Sequence, residues 1–83
     1  MWFIYVLTCA DNSYYCGITT NIDRRLSQHN AGTASKYTRA RRPVSLAASA
    51  PVGSKSAALK AEIHIKKLPK KDKLSAINNK SWP

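Results

Sequence analysis

The sequence predicts an α+β fold in which a small three-stranded mixed or antiparallel sheet is flanked by helices, in the order ββαβαα. Three observations lead to this prediction: two β-branched and aromatic runs near the N-terminus, a weaker run after Pro43, and apolar residues at helical spacing between and after them. With 83 residues the chain has room for one domain, 1–83, whose residues 81–83 form a tail. Any activity must therefore lie on that domain.

The first two runs, residues 2–8 (WFIYVLT) and 14–19 (YYCGIT), predict an antiparallel hairpin with turn residues at 10–13. The third run, residues 43–52 (PVSLAASAPV), predicts a weaker strand because it is rich in Ala and Ser. The hairpin carries Tyr5, Tyr14 and Tyr15.

The pairing register of the hairpin decides which side chains meet. If Tyr5 pairs with Gly17, then Tyr5 and Tyr15 share one face of the sheet, while Cys9 and Cys16 lie on opposite faces. Tyrosines on one face of a thin sheet are often only core. Gly17 is more informative, because glycine inside a strand costs stability and indicates close approach by another group.

A first helix is predicted from a cap at Thr20 or Asn21 to about Asn30, with Gly32 at its end. Residues 31–42 (AGTASKYTRARR) are expected to form a polar, basic loop.

A second helix is predicted from a cap at Ser54 to about Leu68, where Pro69 stops it. Residues 70–78 (KKDKLSAIN) predict a short final helix.

The net charge of +10, from 14 Lys and Arg against 4 Asp and Glu, indicates a polyanionic partner. Nucleic acid is the first candidate, and a membrane surface or a ribosome is the alternative. Charge does not separate a protein that only binds nucleic acid from a nuclease.

The two cysteines, Cys9 and Cys16, fit no zinc or redox spacing and predict buried, reduced thiols in a cytosolic protein. The apolar residues 1–7 are too few for a signal peptide or a membrane span. We therefore expect a cytoplasmic protein with no membrane partner, associated with the nucleoid when bound to DNA.

On a wheel of the first helix, Ile22 and Leu26 define the buried stripe. Arg25 and His29 border that stripe one turn apart, whereas Arg24 points away and suits solvent or phosphate contact. The simpler interpretation of Arg25 is a side chain with its stem on the core and its head in water.

Glu62 is the chain's only glutamate, and it borders the apolar face of the second helix. A carboxylate kept beside a buried face could bind a hard cation. An ion pair with Lys66, four residues later, is the alternative. The apolar face itself comprises Ala57, Ala58, Ala61, Ile65 and Leu68.

The motifs together resemble the GIY-YIG nuclease family. Phe3-Ile4-Tyr5 is similar to the first motif, and Tyr15-Cys16-Gly17, ten residues after Tyr5, is similar to the second. Arg25, His29 and Glu62 match the family's arginine, frequent histidine and helical glutamate. The resemblance covers residues 2 to 77 and extends to the small stand-alone bacterial members, through the segments 15–20 (YCGITT), 24–26 (RRL), 29–30 (HN) and 36–38 (KYT).

Two positions depart from the family pattern: Phe3 replaces its first glycine, and Cys16 replaces an aliphatic residue or threonine. The asparagine that some members carry near the C-terminus has only Asn78 and Asn79 as candidates.

The resemblance implies a metal-dependent endonuclease that hydrolyses DNA and is similar to structure-specific endonucleases that cut branched or flapped DNA in repair or recombination. It implies that Glu62 binds one Mg²⁺ or Mn²⁺ and that Arg25 contacts the non-bridging phosphate oxygens. Tyr5 would deprotonate or orient the water, Tyr15 would position it, and His29 would share the proton transfer. Because free tyrosine titrates near pH 10, Tyr5 as a base requires the metal and arginines to lower its pKa.

The basic loop is the predicted contact for the nucleic-acid backbone. Each phosphate that its side chains neutralise adds to the salt dependence of binding. A solvated loop without a partner is the alternative. The residues assigned to this surface are Arg24, Lys36, Tyr37, Arg39, Arg41 and Arg42.

Two other functions fit the same size and charge: a catalytically silent nucleic-acid-binding module and a structural ribosome-associated protein. Glu62 separates them from a nuclease, because pure binding has no use for a carboxylate near a polyanion. Oligomeric state, DNA against RNA, and a protein partner that adds specificity stay open.

Overall fold

The computed structural model describes residues 1–82, in which the chain forms three strands and four helices. The sheet is antiparallel throughout, in the order β2-β1-β3, which confirms the predicted α+β fold and excludes the mixed alternative. No helix in residues 1–82 is long and apolar enough to cross a membrane. The elements are β1 (Trp2–Thr8), β2 (Tyr14–Thr19), α1 (Ile22–Ala31), α2 (Lys36–Arg39), β3 (Ser45–Gly53), α3 (Lys55–Lys67) and α4 (Lys70–Asn78).

Local chemistry accounts for the helix ends. The Asn21 and Ser54 side chains accept backbone N–H groups at the starts of α1 and α3, as predicted. Gly32 ends α1 in the left-handed conformation, with φ of 82°. The helix over 70–78 has the predicted bounds.

The loop predicted over residues 31–42 contains the four-residue helix α2, which the sequence analysis missed. One turn is too short to show a hydrophobic period, and its order comes from the cap Ser35 and the buried Thr38. The third strand begins at Ser45 rather than Pro43, because the Asn30 amide hydrogen-bonds both the N–H and the carbonyl of Val44.

The predicted tail is partly packed. The Ser81 N–H donates to the Ala76 carbonyl, and Trp82 lies against the core beneath α4. Pro83, the last residue assigned to this tail, lies outside the described residues.

The sheet separates two layers of different composition. One face packs under α3 and α4 and is built from small aliphatic side chains and Cys16; we call it the aliphatic face. The other, the aromatic face, carries Tyr5, Leu7 and Cys9 and packs against α1. Cys9 and Cys16 are therefore buried free thiols on opposite faces, as the register predicted.

Candidate active site

Tyr5 crosses the aromatic face beneath the edge strand β2. It pairs with Gly17, the register that puts Tyr5 and Tyr15 on one face. A Cβ at Gly17 would lie only 2.5 Å from Tyr5 Oη, so any larger residue would displace the phenol. The glycine that the sequence singled out therefore makes room for Tyr5.

His29 links Tyr5 to the α2 turn. Its Nε2 lies 2.8 Å from Tyr5 Oη and its Nδ1 lies 2.7 Å from Thr38 Oγ1. Thr38 Oγ1 lies in turn 2.9 Å from Ser35 Oγ. Tyr5, His29 and Thr38 are all buried, so a continuous polar chain runs through the interior of this side of the domain.

The burial of α1 differs from the wheel prediction. His29 is the fully buried residue of this helix, whereas Ile22 and Leu26 are only partly buried against the aromatic face. The inward-facing His29 hydrogen-bonds Tyr5 and Thr38, so polar contacts as well as apolar packing hold this side of α1 against the sheet.

Tyr15 adds a stack of rings above this chain. Its ring meets the edge of His29 with centroids 5.1 Å apart and stacks on Tyr37 at 5.8 Å. Arg41 lies over the Tyr37 ring, 3.8 Å from its centroid. The predicted pair Tyr5 and Tyr15 thus shares one site with His29.

Burial is the main influence on the pKa values of Tyr5 and His29. It raises the pKa of Tyr5 to about 12, although the neighbouring Arg25 guanidinium acts in the opposite direction. Burial, and secondarily the Arg25 charge, lower the pKa of His29 below its usual range. Arg25 therefore acts in the expected direction, but alone it does not bring the Tyr5 pKa below its usual value, because desolvation outweighs it.

Arg25 is the half-buried arginine of α1, whereas Arg24 is exposed, as predicted. An Arg25 Nη donates to the Gln28 side-chain carbonyl at 3.0 Å. Its buried Nε has no hydrogen-bond partner among the described residues. A buried donor without a partner costs about 1–3 kcal/mol, which makes the Arg25 Nε a candidate donor to a ligand.

A groove of about 480 Å³ opens beside these residues, at the end of β2 and the start of α1. It combines two guanidinium groups with hydroxyl, amide and apolar side chains. Its lining residues are Trp2, Ile18, Thr19, Thr20, Arg24, Arg25 and Gln28.

Glu62 lies on the other side of β2 from this cluster. It projects from α3, forms the alternative ion pair with Lys66 at 3.6 Å, and does not line the groove. Burial first and the Glu62 charge second raise the pKa of Cys16 to about 12, which places Glu62 near Cys16. Ile18, two residues along the same face, lines the groove, so Glu62 and Arg25 flank the edge strand from opposite sides.

The donor set around Glu62 suits one kind of metal. Residues 1–82 hold no group of three His, Cys, Asp or Glu side chains that could form a cage. Mg²⁺ commonly takes one or two carboxylates and completes its shell with water and substrate phosphate. Glu62 fits that pattern as a single protein ligand.

The residues predicted to bind nucleic acid differ in exposure and in the hydrogen bonds that they already make within the protein. Lys36, Arg39 and Arg42 are exposed, but Arg42 also donates to the carbonyls of Arg39 and, at 3.4 Å, Asn30. Arg41 pairs with Asp11 at 3.0 Å and donates to the Tyr37 carbonyl.

Sequence reasoning gave no role to Thr38, Ser35 or Trp2. Ser35 is of the residue type favoured at a helix N-cap, and it accepts the Thr38 backbone N–H, so it was the one local signal for the α2 turn. Asn78 and Asn79 lie exposed at the end of α4, which packs on the aliphatic face.

Comparison with known proteins gives a family match over most of the chain. Residues 1–75 match the GIY-YIG catalytic domain. The chain is 47% identical over 72 residues to the UPF0213 protein YhbQ of Escherichia coli O127:H6 and to that of Shigella boydii serotype 18, covering 87% of this chain and 72% of each relative.

Two solution NMR structures have the same fold. The UPF0213 protein BH0048 from Bacillus halodurans is 38% identical with a TM-score of 0.57, covering 96% of this chain and 86% of that one. EF2693 from E. faecalis is 41% identical with a TM-score of 0.63, covering 95% and 84%. The GIY-YIG domain is a nuclease fold, and nucleases of this family generally depend on divalent metals. Membership of the family implies a DNA substrate. The chain belongs to the GIY-YIG family.

Proposed function

We propose that this chain is a metal-dependent endonuclease that hydrolyses DNA phosphodiester bonds in the groove beside Arg25. The observation that carries the proposal is the buried hydrogen bond between Tyr5 and His29 next to that guanidinium. Nucleic-acid binding alone needs cations on a surface, and it needs no titratable pair beneath them.

Proton transfer is the task of Tyr5 and His29. The attacking water gives a proton to Tyr5 Oη while Tyr5 passes its own proton to His29 Nε2. Tyr5 then never ionises, so its pKa of about 12 is no obstacle. The lowered pKa of His29 keeps its imidazole neutral near pH 7, with Nε2 free to accept, while the same burial and the Arg25 charge oppose the imidazolium that forms. Tyr15, packed on the edge of His29, limits where the water can lie.

Thr38 acts as a positioning residue in this scheme. If the Thr38 hydroxyl accepts the His29 Nδ1–H, then Nε2 keeps its lone pair for the Tyr5 proton. The Thr38 hydroxyl can itself donate to the Ser35 carbonyl at 3.4 Å, which completes the chain.

Arg25 supplies positive charge to the phosphate oxygens through charge-assisted hydrogen bonds. Glu62 is the proposed ligand of one Mg²⁺ or Mn²⁺, which when bound supplies polarisation of the phosphate and stabilisation of the leaving oxygen. The Glu62–Lys66 contact is no barrier, because an i,i+4 pair of this kind contributes about 0.3–0.5 kcal/mol.

The exposed cations around the groove are the proposed contacts for the DNA backbone. Arg24 lines the groove itself, whereas Lys36, Arg39, Arg41 and Arg42 with Tyr37 extend from the α2 turn. A structure-specific role on branched or flapped DNA in repair or recombination, in the cytoplasm or nucleoid, is part of this proposal.

A silent nucleic-acid-binding module is the second candidate. The observation in its favour is Glu62, which is paired with Lys66 and is not among the groove residues. In that case Glu62→Gln should leave DNA binding unchanged or tighten it, and no substrate should be cut.

The deciding experiment incubates labelled duplex, single-stranded, flapped and branched DNA with the protein in Mg²⁺, Mn²⁺ or EDTA. Arg25→Ala and Glu62→Gln run beside the wild type, and Asp72→Asn on α4 is the matched control for loss of one negative charge. Metal-dependent cutting that Arg25→Ala and Glu62→Gln abolish and Asp72→Asn retains supports the nuclease. Tight binding without cutting on every substrate would contradict it.

A further inference from the structure

The groove beside Arg25 has two chemically different sides. Arg24 and Arg25 contribute cations, whereas Trp2 and Ile18 contribute an indole and an aliphatic side chain. The Lys55 ammonium lies 5.7 Å from the centre of the Trp2 ring, so a third cation stands at that end. A volume of about 480 Å³ falls within the range of roughly 300–1,000 Å³ that is usual for small-ligand sites.

A nucleotide has the matching chemistry, a flat base joined to an anionic phosphate. Proteins bind unpaired bases by stacking them on aromatic rings, which tolerates any base because each has a π-face. In a duplex those faces are covered by neighbouring base pairs. An indole beside phosphate-binding arginines therefore selects a nucleotide that is unpaired.

Several other aromatic side chains near the surface contact a ring or a cation, as Trp2 itself contacts Lys55, and none of them lines the groove. Tyr37 stacks on Tyr15 and lies under Arg41, and Lys70 lies 4.8 Å from the centre of the Tyr14 ring. Among the aromatic residues of the described chain, Trp2 is the one that lines the groove together with Arg25.

We propose that Trp2 stacks an unpaired base next to the phosphate held by Arg25, so that the substrate carries an unpaired nucleotide at the bond to be cut. The cutting rests on the function proposed above, whereas the binding of an unpaired nucleotide does not. Trp2 is then the residue that favours flapped or branched DNA over intact duplex.

Fluorescence tests the binding directly. The chain has two tryptophans, and Trp82→Phe leaves Trp2 as the sole indole. This variant is titrated in EDTA with oligothymidylate, with an abasic strand of equal length and charge, and with a blunt hairpin duplex. We expect oligothymidylate to quench Trp2 and to bind roughly 5- to 150-fold more tightly than the abasic strand, the value of one base–aromatic stack. Equal quenching and equal affinity for the abasic strand would overturn the proposal.

Substitution provides the second arm. Trp2→Leu should lower the cleavage of flapped DNA at least fivefold, and Trp2→Phe should restore most of it, because a phenyl ring still stacks. Trp82→Leu, the same change outside the groove, is the matched control. Equal loss in Trp2→Leu, Trp2→Phe and Trp82→Leu would count against stacking.

The two arms separate this proposal from the nuclease proposal. If the protein cuts DNA but Trp2 does not distinguish thymidylate from abasic strands, the nuclease stands and Trp2 has no role in substrate choice. If Trp2 is quenched by bases and nothing is cut, the groove binds unpaired nucleotides and the nuclease proposal fails.

Discussion

The two faces of the sheet use the same strands for different purposes. On the aliphatic face, Ile4, Val6 and Ile65 are fully buried and pack by shape alone. On the aromatic face, the buried groups at the centre are Tyr5 and His29, which are held by hydrogen bonds. Strand alternation lets adjacent residues of β1 pack the aliphatic core on one side and place Tyr5 beside His29 on the other.

Tyr5→Phe should produce the largest effect, and it acts on activity. Removing the hydroxyl takes away the proton relay, which contributes about 10²–10⁴-fold to a hydrolytic rate. Stability should fall by only about 1–3 kcal/mol, from the unpaired His29 nitrogen. Single-turnover cleavage and urea unfolding measure the two, and full activity in Tyr5→Phe would remove Tyr5 from the mechanism.

Ile65→Ala should show the opposite behaviour on the aliphatic face. Ile65 is fully buried, so its truncation should cost about 2–5 kcal/mol in the free energy of unfolding. Ile63→Ala, on the same helix but 57% exposed, is the matched control and should stay within about 0.5 kcal/mol. The cleavage rate per folded molecule should be unchanged in both, and a selective loss of rate in Ile65→Ala would break the separation of the faces.

Thr38→Val tests whether the Thr38 hydroxyl holds the tautomer of His29 on the aromatic face. Without the hydroxyl, the His29 tautomer is no longer held in place. Proton transfer contributes about 10²–10⁴-fold to the rate, and part of that contribution should be lost. The ¹⁵N shifts of the His29 ring should move from a single Nδ1–H tautomer towards a mixture, and Thr38→Ser should restore both the shifts and the rate. Unchanged ring shifts in Thr38→Val would show that Thr38 does not orient His29.

The smallest expected effect is on stability in mild acid. The folded-state pKa of His29 is lowered, so below about pH 6.5 the unfolded chain binds a proton that the native state resists. Stability should fall as the pH drops through that range and should be insensitive to His29 above it. Urea midpoints at pH 7.5 and pH 5 measure the change, and His64→Gln on α3 is the control. A flat profile in the wild type would contradict the burial of a neutral His29.

Much of the candidate site could be predicted because it rests on spacing along the chain. Strand alternation showed that pairing Tyr5 with Gly17 would put Tyr5 and Tyr15 on one face, and the helical wheel distinguished Arg25 from Arg24. The role of Gly17 was predictable in kind, but the group that approaches it, Tyr5, was not.

The rest depends on contacts between distant residues. The α2 turn has too few residues for a period, and Thr38 meets His29 only after the loop closes over α1. The pKa of Tyr5 is governed by desolvation, which depends on everything packed around the phenol and not on its neighbours in the chain.

The α+β class, the caps of α1 and α3 and the membership of the family could be inferred from the amino-acid sequence alone. These features are local or periodic, so a few residues specify each of them. Two other features emerge only when the chain is folded. Glu62 lies across β2 from Arg25, and Trp2 lines the same groove as the arginines. Both depend on how α1 and α3 pack on opposite faces of one short edge strand, and no local pattern encodes that arrangement.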